Sequence, residues 1–262
     1  MNTVAPTSAG QKKEEAEYVM GLEKGLAIVE AFGLLRGGGT LTEIAELTGH
    51  TKASVRRCLL TLCKLGYASQ DGRQFQLAPR ALRLGHAYVA SNALTKIAQP
   101  ILEMTSERTR ESASVAVLDS ENAVFVARST HRRSLSSGLG VGARLPAYCS
   151  ATGRVLLAER PKDEVRFLLN RIMRPALTPR TRTALRDIVQ EIDRARQQGY
   201  AICDEELEIG LRSVAVPIRT GRGELIAALS LSVSTSRMSR DDVVDKLLPE
   251  LETARRAFAA LL

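Results

Sequence analysis

Apolar positions in the first part of the chain recur at three- and four-residue steps, which is the spacing of an amphipathic helix. The spacing appears in three successive segments, over residues 21–33, 40–49 and 54–66. The third segment has the clearest stripe, formed by Val55, Cys58, Leu59, Leu62 and Leu65. The pattern therefore predicts three helices, each with one face directed to a core.

Polar residues and glycines mark the ends of these helices. Thr40 and Glu43 have the spacing of a capping box at the start of the second helix, and Gly49 supplies a left-handed stop. Thr51 is placed to cap the third helix. Two short helices joined by a tight turn, with another helix before them, predict a helix-turn-helix.

After Gly66 the period changes from 3.6 to 2, which indicates strands. The alternation in "YASQDGRQFQLAP" is centred on Asp71-Gly72, a two-residue hairpin signal. Three helices and a hairpin predict a winged helix-turn-helix domain over residues 18–78. The polar residues 1–17 have no apolar pattern and are predicted to be disordered.

Residues 79–99 predict a linker of one or two helices that begins at Pro79 and breaks at Pro100, with another helix beyond. Leu82, Gly85, His86 and Val89 would face a neighbour, which is either the same subunit or a second copy. Residues 100–262 mix adjacent strand pairs with helices and predict an α/β (α+β) domain. The predicted strands are "SASVAVLD", "AVFVARS", "SVAVPI" and "LIAALSLSV". One predicted helix starts at Ala151, and three more cover "KDEVRFLLN", "TALRDIVQEIDRARQQG" and the C-terminal "DDVVDKLLPELETARRAFAALL".

Charge adds a functional expectation to the first domain. The 262-residue chain has a net charge of +8, and most of this excess lies between Thr51 and Arg83. That stretch holds seven basic residues and one acidic residue, Asp71. A single sign over a helix, a wing and a linker favours binding to DNA phosphates over an ordinary solvated surface.

The residues of the third helix and the wing divide by their expected contacts with DNA. The first turns of a recognition helix reach base edges, whereas cations further along contact phosphates. Thr51 is expected to cap the helix beside the DNA. Base contacts are expected from Lys52, Ser54 and Arg56, and phosphate contacts from Arg57, Lys64 and Arg73.

Other functions find little support. The four cysteines, Cys58, Cys63, Cys149 and Cys203, form no CxxC pair and are expected to be reduced, and the three histidines are scattered, so no metal or cofactor is predicted. The acidic run at residues 204–206 is more typical of a solvated turn or helix start than of a general acid/base pair. With no nucleophile motif, signal peptide or bilayer-length apolar run, we expect a cytoplasmic protein that is not an enzyme.

A second ligand site is expected around "CSATGRVLLA". Ser150 can cap a helix starting at Ala151, whose free amides would attract a carboxylate. Ser230 and Ser232 are two residues apart on a strand and face one side, and Tyr148 could form a wall. The alternative is that these serines are ordinary, hydrogen-bonded sheet residues.

The sequence resembles the IclR (isocitrate-lyase-regulator) family of bacterial transcription factors from about Tyr18 to the C-terminus. The resemblance is carried by "LTEIAELTGHTKASVRRCLLTLCKLGY", "LPAYCSATGRVLLA", "GYAICDEELEIGLRSVAVPI" and "AALSLSVSTSR". The stretches "RRCLLTLCKLGYASQDGRQFQLAPRALRLGHAYVAS" and "ELEIGLRSVAVP" are similar to the subfamily that controls protocatechuate, 4-hydroxybenzoate and β-ketoadipate pathway genes.

The resemblance implies a winged-helix reader, a linker helix and a GAF- or profilin-like effector domain, assembled as dimers or tetramers on palindromic operators in double-stranded DNA. It also implies effector contacts from Ala151, Thr152, Cys203, Ser213, Ser230 and Ser232. Relatives that bind glyoxylate or pyruvate tend to have Asp at position 203 and Cys at position 213. This departure favours a larger ligand, an aromatic acid or a β-ketoadipate-like diacid.

Two other functions are compatible with the pattern. One is an architectural DNA-binding protein without an effector. The other is an enzyme that acts on such an acid and carries the winged domain as an attachment.

Overall fold

The computed structural model describes residues 18–35, 37–131 and 139–262. The predicted disorder at residues 1–17 falls outside these ranges. The chain divides into two compact units, Met1–Ala87 and Tyr88–Leu262. The division lies within the predicted linker of residues 79–99, inside a helix.

The first unit is a three-helix domain with a small sheet, as the periodicity predicted. Its core is built from Ile28 of the first helix, Phe32 directly after it, and Ile44, Val55, Leu59 and Phe75. The sheet has the order β1-β3-β2 and is antiparallel. The elements are α1 (Met20–Ala31), a 3₁₀ turn (Phe32–Leu34), β1 (Gly39–Thr40), α2 (Leu41–Thr48), α3 (Lys52–Leu65), β2 (Ala68–Asp71), β3 (Gln74–Leu77) and a second 3₁₀ turn (Pro79–Ala81).

The predicted helix caps are present. Thr40 and Glu43 form a complete capping box at the start of α2, and Gly49 ends that helix in the left-handed region. The Thr51 side chain accepts a hydrogen bond from the Ser54 amide at the start of α3. These local contacts fix the turn between α2 and α3.

The wing differs from the prediction in two details. Asp71 pairs with Gln74, so the turn residues are Gly72 and Arg73 and the predicted turn was one residue too early. Gly72 has φ +56° at the first central position, as a type II′ turn requires. The third strand, β1, was not predicted; Gly38 before it has φ +115°, and a Cβ there would lie 2.6 Å from the Phe75 carbonyl oxygen.

The predicted break at Pro100 was wrong. The helices are α4 (Leu82–Ser91) and α5 (Ala93–Thr109), and the break between them lies at Asn92, whose side chain accepts a 2.9 Å hydrogen bond from the Leu94 amide. Pro100 lies inside α5. Both Pro100 and Lys96 are exposed, so water can hydrate the carbonyl that proline leaves without a helical donor.

The second unit has a six-stranded antiparallel sheet in the order β6-β5-β4-β9-β8-β7. The predicted strand pairs are confirmed, whereas β6 and β7 are too short to show a period. The elements after α5 are β4 (Ser112–Asp119), β5 (Asn122–Ser129), β6 (Arg144–Pro146), a 3₁₀ turn (Ala147–Cys149), α6 (Ala151–Ala158), α7 (Lys162–Arg171), α8 (Leu185–Gln198), β7 (Ala201–Asp204), β8 (Leu211–Arg219), β9 (Leu225–Ser234), α9 (Arg240–Asp242), a π-helical segment (Val243–Leu247) and α10 (Leu248–Leu261).

Both faces of this sheet carry an apolar core. On one face, Leu229 and Leu231 pack with Leu102 of α5 and Phe258 of α10. On the other, Ala215 and Ala228 belong to a second cluster with residues of α6 and α8. The small alanines let α6 lie close to the sheet, which places its N-terminus over the serine-bearing strands.

Candidate DNA-binding surface and effector site

The recognition helix α3 presents its basic residues to solvent. Lys52, Arg56, Arg57 and Lys64 are exposed, and so is Arg73 in the wing. Ser54 is 9% exposed and lies on the buried side of the helix. The predicted base contact from Ser54 is therefore not supported, because its side chain faces the domain.

Arg56 and Arg73 line one cleft, formed by α3, the wing and the start of α2. The cleft has a volume of about 420 Å³ and also includes Thr40, Thr42 and Gln70. Thr42 and Gln70 were absent from the predicted set because neither is charged. Cations and hydrogen-bonding side chains on three adjacent elements form a surface suited to nucleic acid.

Arg57 lies on another side of α3, where it borders an apolar groove against α1. The groove has a volume of about 600 Å³. Four of its leucines are strongly exposed: Leu22 (61%), Leu26 (48%), Leu65 (51%) and Leu84 (47%). Such a contiguous apolar surface is typical of a protein interface.

In the second unit, α6 begins as the sequence predicted. The Ser150 hydroxyl accepts a hydrogen bond from the Gly153 amide and donates one to the Pro146 carbonyl. A Cβ on Gly153 would lie 2.2 Å from the Ala147 Cα, so only glycine allows this close approach of the two backbones. The start of α6 is thus held firmly against the preceding turn.

A small cavity lies between the start of α6 and the sheet. It contains most of the predicted effector residues: Ser150, Ala151, Thr152, Ser213, Ser230 and Ser232. The Ser213 and Ser232 hydroxyls are 3.1 Å apart, and the Ser230 hydroxyl donates to the Ser114 carbonyl at 3.4 Å. The Thr152 hydroxyl is buried without a partner in the part of the chain that the structure describes.

Tyr148 and Cys203 do not line this cavity, contrary to the prediction. The Tyr148 hydroxyl donates to the Pro175 carbonyl at 2.5 Å, and the Cys203 thiol donates to the Cys149 carbonyl at 2.7 Å. Burial raises the pKa of Cys149 to about 11 and raises that of Cys203 as well, so both thiols are protonated at neutral pH. These side chains support the turn before α6 instead of forming the cavity wall.

Six cavity residues were not predicted: four leucines, at positions 139, 145, 207 and 211, and Phe125 and Arg128 of β5. Val126 has no partner in the β4–β5 register, so Val126 and Ala127 both face the core formed with α5 and α10. This bulge brings Arg128 to the same side as Phe125, toward the cavity, where its guanidinium lies 5.2 Å from the ring centroid. Burial lowers the pKa of Arg128, because its charge is partly removed from water.

The acidic run at residues 204–206 is not the solvated turn that was predicted. The Glu206 side chain is fully buried and forms a two-point ion pair with Arg154, which is 1% exposed, at 2.7 Å for both bonds. Arg182 donates to the same carboxylate from its backbone amide (3.1 Å) and its guanidinium (2.6 Å). Four donors therefore satisfy the buried Glu206 carboxylate.

This ion pair connects two walls of the cavity. Arg154 lies on α6, two residues beyond Thr152, and Leu207 follows Glu206 and lines the cavity from the other side. The Thr181 hydroxyl also donates to the Glu206 carbonyl at 2.6 Å. The position of Leu207 thus depends on polar contacts more than on regular secondary structure.

Two observations concern metals and membranes. Across residues 18–35, 37–131 and 139–262, no group of three or more His, Cys, Asp or Glu side chains is placed to hold a metal ion. Within the same ranges, no helix combines the length and apolarity that a membrane span requires.

Two family models match the chain. The first, the IclR helix-turn-helix domain, matches residues 21–72. The second, described as the C-terminal part of the bacterial transcriptional regulator IclR, matches residues 86–260. The matched ranges cover both compact units.

Three similar proteins extend this comparison. The Pca regulon regulatory protein of Pseudomonas putida is 41% identical over 243 residues, covering 92% of this chain and 84% of the relative. The p-hydroxybenzoate hydroxylase transcriptional activator of Acinetobacter baylyi is 36% identical over 251 residues, covering 94% and 92%. The crystal structure of an IclR homolog complexed with 4-hydroxybenzoate, from Microbacterium hydrocarbonoxydans, has 25% identity and a TM-score of 0.75, covering 92% of this chain and 98% of that one.

The Arg154–Glu206 pair generates a stability prediction. Glu206→Gln leaves the buried Arg154 charge without its full counter-charge, and we expect the free energy of unfolding to fall by about 3–5 kcal/mol. Arg154→Met combined with Glu206→Leu removes both charges and should recover most of this loss. Urea denaturation measures both changes.

The matched control is Arg108→Met, which breaks the exposed pair between Arg108 and Glu250. An exposed pair is worth less than about 1 kcal/mol. If Glu206→Gln were as stable as the control, breaking the buried pair would not cost the expected free energy of unfolding.

Proposed function

The chain belongs to the IclR family of bacterial transcriptional regulators, and on that basis we propose that it senses a small aromatic acid and regulates genes of aromatic catabolism. The first unit binds operator DNA, and the second unit binds the effector. The observation that carries the effector assignment is the cavity at the start of α6, which combines the half-buried Arg128 with the Thr152 hydroxyl, buried and without a partner among the described residues.

The cavity suits a ring with polar groups. A carboxylate would be held by Arg128 and by the free amides at the start of α6. The hydroxyl groups of Thr152, Ser213 and Ser232 would bind a phenolic or second polar group. Apolar contact would come from Phe125, Leu139, Leu145, Leu207 and Leu211. These apolar walls favour a monocyclic aromatic acid over a flexible β-ketoadipate-like diacid, and the relatives' aromatic ligand and regulatory target agree with this choice.

The cavity must enlarge to accept such a ligand. Its volume is about 20 Å³, which is space for one water molecule. Leu207 follows the anchored Glu206 on a segment without regular secondary structure and is only partly buried, so we propose that its side chain moves when the effector binds. Movement at the cavity would then accompany the change in DNA affinity.

DNA recognition is assigned to the cleft that contains Arg56 and Arg73. Lys52 and Arg56 would contact base edges, while Arg57, Lys64 and Arg73 would contact phosphates. Thr42 and Gln70 join the proposed surface because they line the same cleft as Arg56. The operator of such a regulator lies on the chromosome, so we place the protein in the cytoplasm.

We also propose that the chain acts as a homodimer, or as a tetramer built from dimers, on a palindromic operator. A single winged module buries little surface on DNA, and two modules can bind two half-sites. We propose that a second copy of the chain occupies the apolar groove between α1 and α3. Its exposed leucines include Leu84 of α4, in the segment predicted to form a dimer contact.

The DNA assignment predicts different effects for adjacent arginines. Arg56→Ala should weaken operator binding by about 1–3 kcal/mol and relax preference at one base pair. Arg57→Ala should weaken operator and random-sequence DNA alike and reduce the slope of log affinity against log salt by about 0.9. Fluorescence titration at several salt concentrations measures both effects. If both variants are folded and bind like wild type, α3 is not the helix that enters the major groove of the DNA.

The effector assignment predicts that 4-hydroxybenzoate binds with micromolar affinity. Ser230→Ala combined with Ser232→Ala should weaken binding while leaving the DNA affinity of the ligand-free protein almost unchanged. Arg128→Met should weaken it at least about tenfold, because a carboxylate loses a charge-assisted hydrogen bond. Calorimetry compares these variants with Arg166→Met, whose side chain is exposed on α7.

A matched set of ligands separates the alternatives. 4-Hydroxybenzamide has the ring without the carboxylate charge and should not bind, and β-ketoadipate is the diacid competitor. If the protein bound β-ketoadipate but not 4-hydroxybenzoate, the effector would be a diacid and not an aromatic acid. Unchanged affinity in all the cavity variants would place the site elsewhere.

The dimer assignment predicts that Leu26→Glu dissociates the protein, because a carboxylate in an apolar interface is costly to desolvate. Leu34→Glu is the control, since Leu34 is 75% exposed and lies outside the groove. Light scattering at micromolar concentration should give a dimer or tetramer for wild type and the control. A monomeric wild type that stays monomeric on DNA would contradict the proposal.

A further inference from the structure

Arg80 belongs to the basic stretch that was interpreted as a phosphate-binding surface, but its side chain contacts other residues of the first unit. Its Nη1 atom donates a 2.6 Å hydrogen bond to the Leu65 carbonyl, the last residue of α3. Its guanidinium carbon lies 5.8 Å from the centroid of the Tyr67 ring. Two separate contacts therefore hold this guanidinium against the end of the recognition helix.

The end of α3 is otherwise closed by backbone bonds. The Gly66 amide donates to the Cys63 carbonyl at 3.0 Å, and the Tyr67 amide donates to the Leu62 carbonyl at 2.9 Å. Gly66 has φ +77°, and a Cβ there would be 3.3 Å from the Arg80 guanidinium. The Leu65 carbonyl, left over by these bonds, is the one that Arg80 caps, and a cation at a helix C-terminus is favourable.

Arg80 lies in the 3₁₀ turn Pro79–Ala81, directly before α4. Ala78 also donates its amide to the Tyr67 carbonyl at 2.9 Å, so the wing ends at the same point. The recognition helix, the wing and the beginning of the linker meet at this contact. A rotation of the linker at residues 79–81 would pull on the end of α3.

We propose that Arg80 is a positioning residue, which fixes the recognition helix to the start of the linker and does not bind a DNA phosphate. This rests on the DNA-binding function of the first unit. It follows that Arg80 affects operator recognition through the placement of α3, whereas a phosphate ligand would add affinity for any DNA sequence.

The test compares Arg80→Met with Arg83→Met in the full-length, ligand-free protein. Arg83 is exposed, and the variant loses the same charge three residues away. The probes are a duplex enriched from a random pool by the wild-type protein and an unrelated random duplex, each titrated at several salt concentrations. Failure of the wild type to enrich any duplex would refute the DNA-binding function itself and so would be distinguishable from failure of this proposal.

We expect Arg80→Met to bind the enriched duplex about tenfold more weakly than Arg83→Met, because a hydrogen bond and a cation–π contact are lost. The two variants should bind the random duplex equally and have equal salt slopes. Hydrogen exchange at the Gly66 and Tyr67 amides should be faster in Arg80→Met. An additional slope decrease of about 0.9, with equal loss on both duplexes, would identify a phosphate contact and overturn the proposal.

A second variant keeps the test decisive if Arg80→Met unfolds. Arg80→Lys retains the charge and the long stem but loses the planar group over Tyr67. It should keep wild-type affinity for the random duplex and lose part of the affinity for the enriched one. Wild-type binding of both duplexes by Arg80→Lys, or identical behaviour of Arg80→Met and Arg83→Met, would refute the positioning role.

Discussion

The buried ion pair between Arg154 and Glu206 is the interaction on which the geometry of the proposed effector cavity depends. It joins α6, which supplies the capped helix start, to the segment that supplies Leu207. A pair of this kind adds little net stability compared with apolar side chains, yet either partner alone is costly to bury. Its contribution is therefore geometric, since it anchors Glu206 to α6, and any movement of Leu207 must take place beyond that anchor.

Local interactions explain why much of the fold could be predicted. The Thr40–Glu43 capping box, the Thr51 cap and the Ser150 cap each join residues within three positions, and their spacing is visible in the sequence. The helices and the long strands could be predicted for the same reason. The turn was predicted one residue too early because Asp71-Gly72 and Gly72-Arg73 are both compatible with a two-residue hairpin turn. Only the pairing of β2 with β3 decides which of them forms the turn.

Long-range contacts explain what was missed at the site. Arg154 and Glu206 are separated by 52 positions, and an acidic run gives no sign that one of its members is buried. Arg128 was hidden by the bulge at Val126, since strict alternation would direct residues 125 and 128 to opposite faces. Tyr148 was assigned to the cavity as a wall beside Ser150, and Cys203 because the family resemblance implied it, but their hydrogen bonds direct them into the turn before α6.

The two units differ in whether their proposed binding surfaces are open to a partner. The effector cavity is closed around hydroxyl groups and a partly desolvated cation, so a ligand must displace a wall before it makes its contacts. The surface proposed to bind DNA is already formed, with Arg56 and Arg73 exposed on one cleft and the ends of α3 capped. A ligand changes DNA affinity only if it favours one arrangement of the chain over another. The wall movement proposed at Leu207 would supply such a preference, and the capped helix α3 provides a rigid element that can be displaced as a whole.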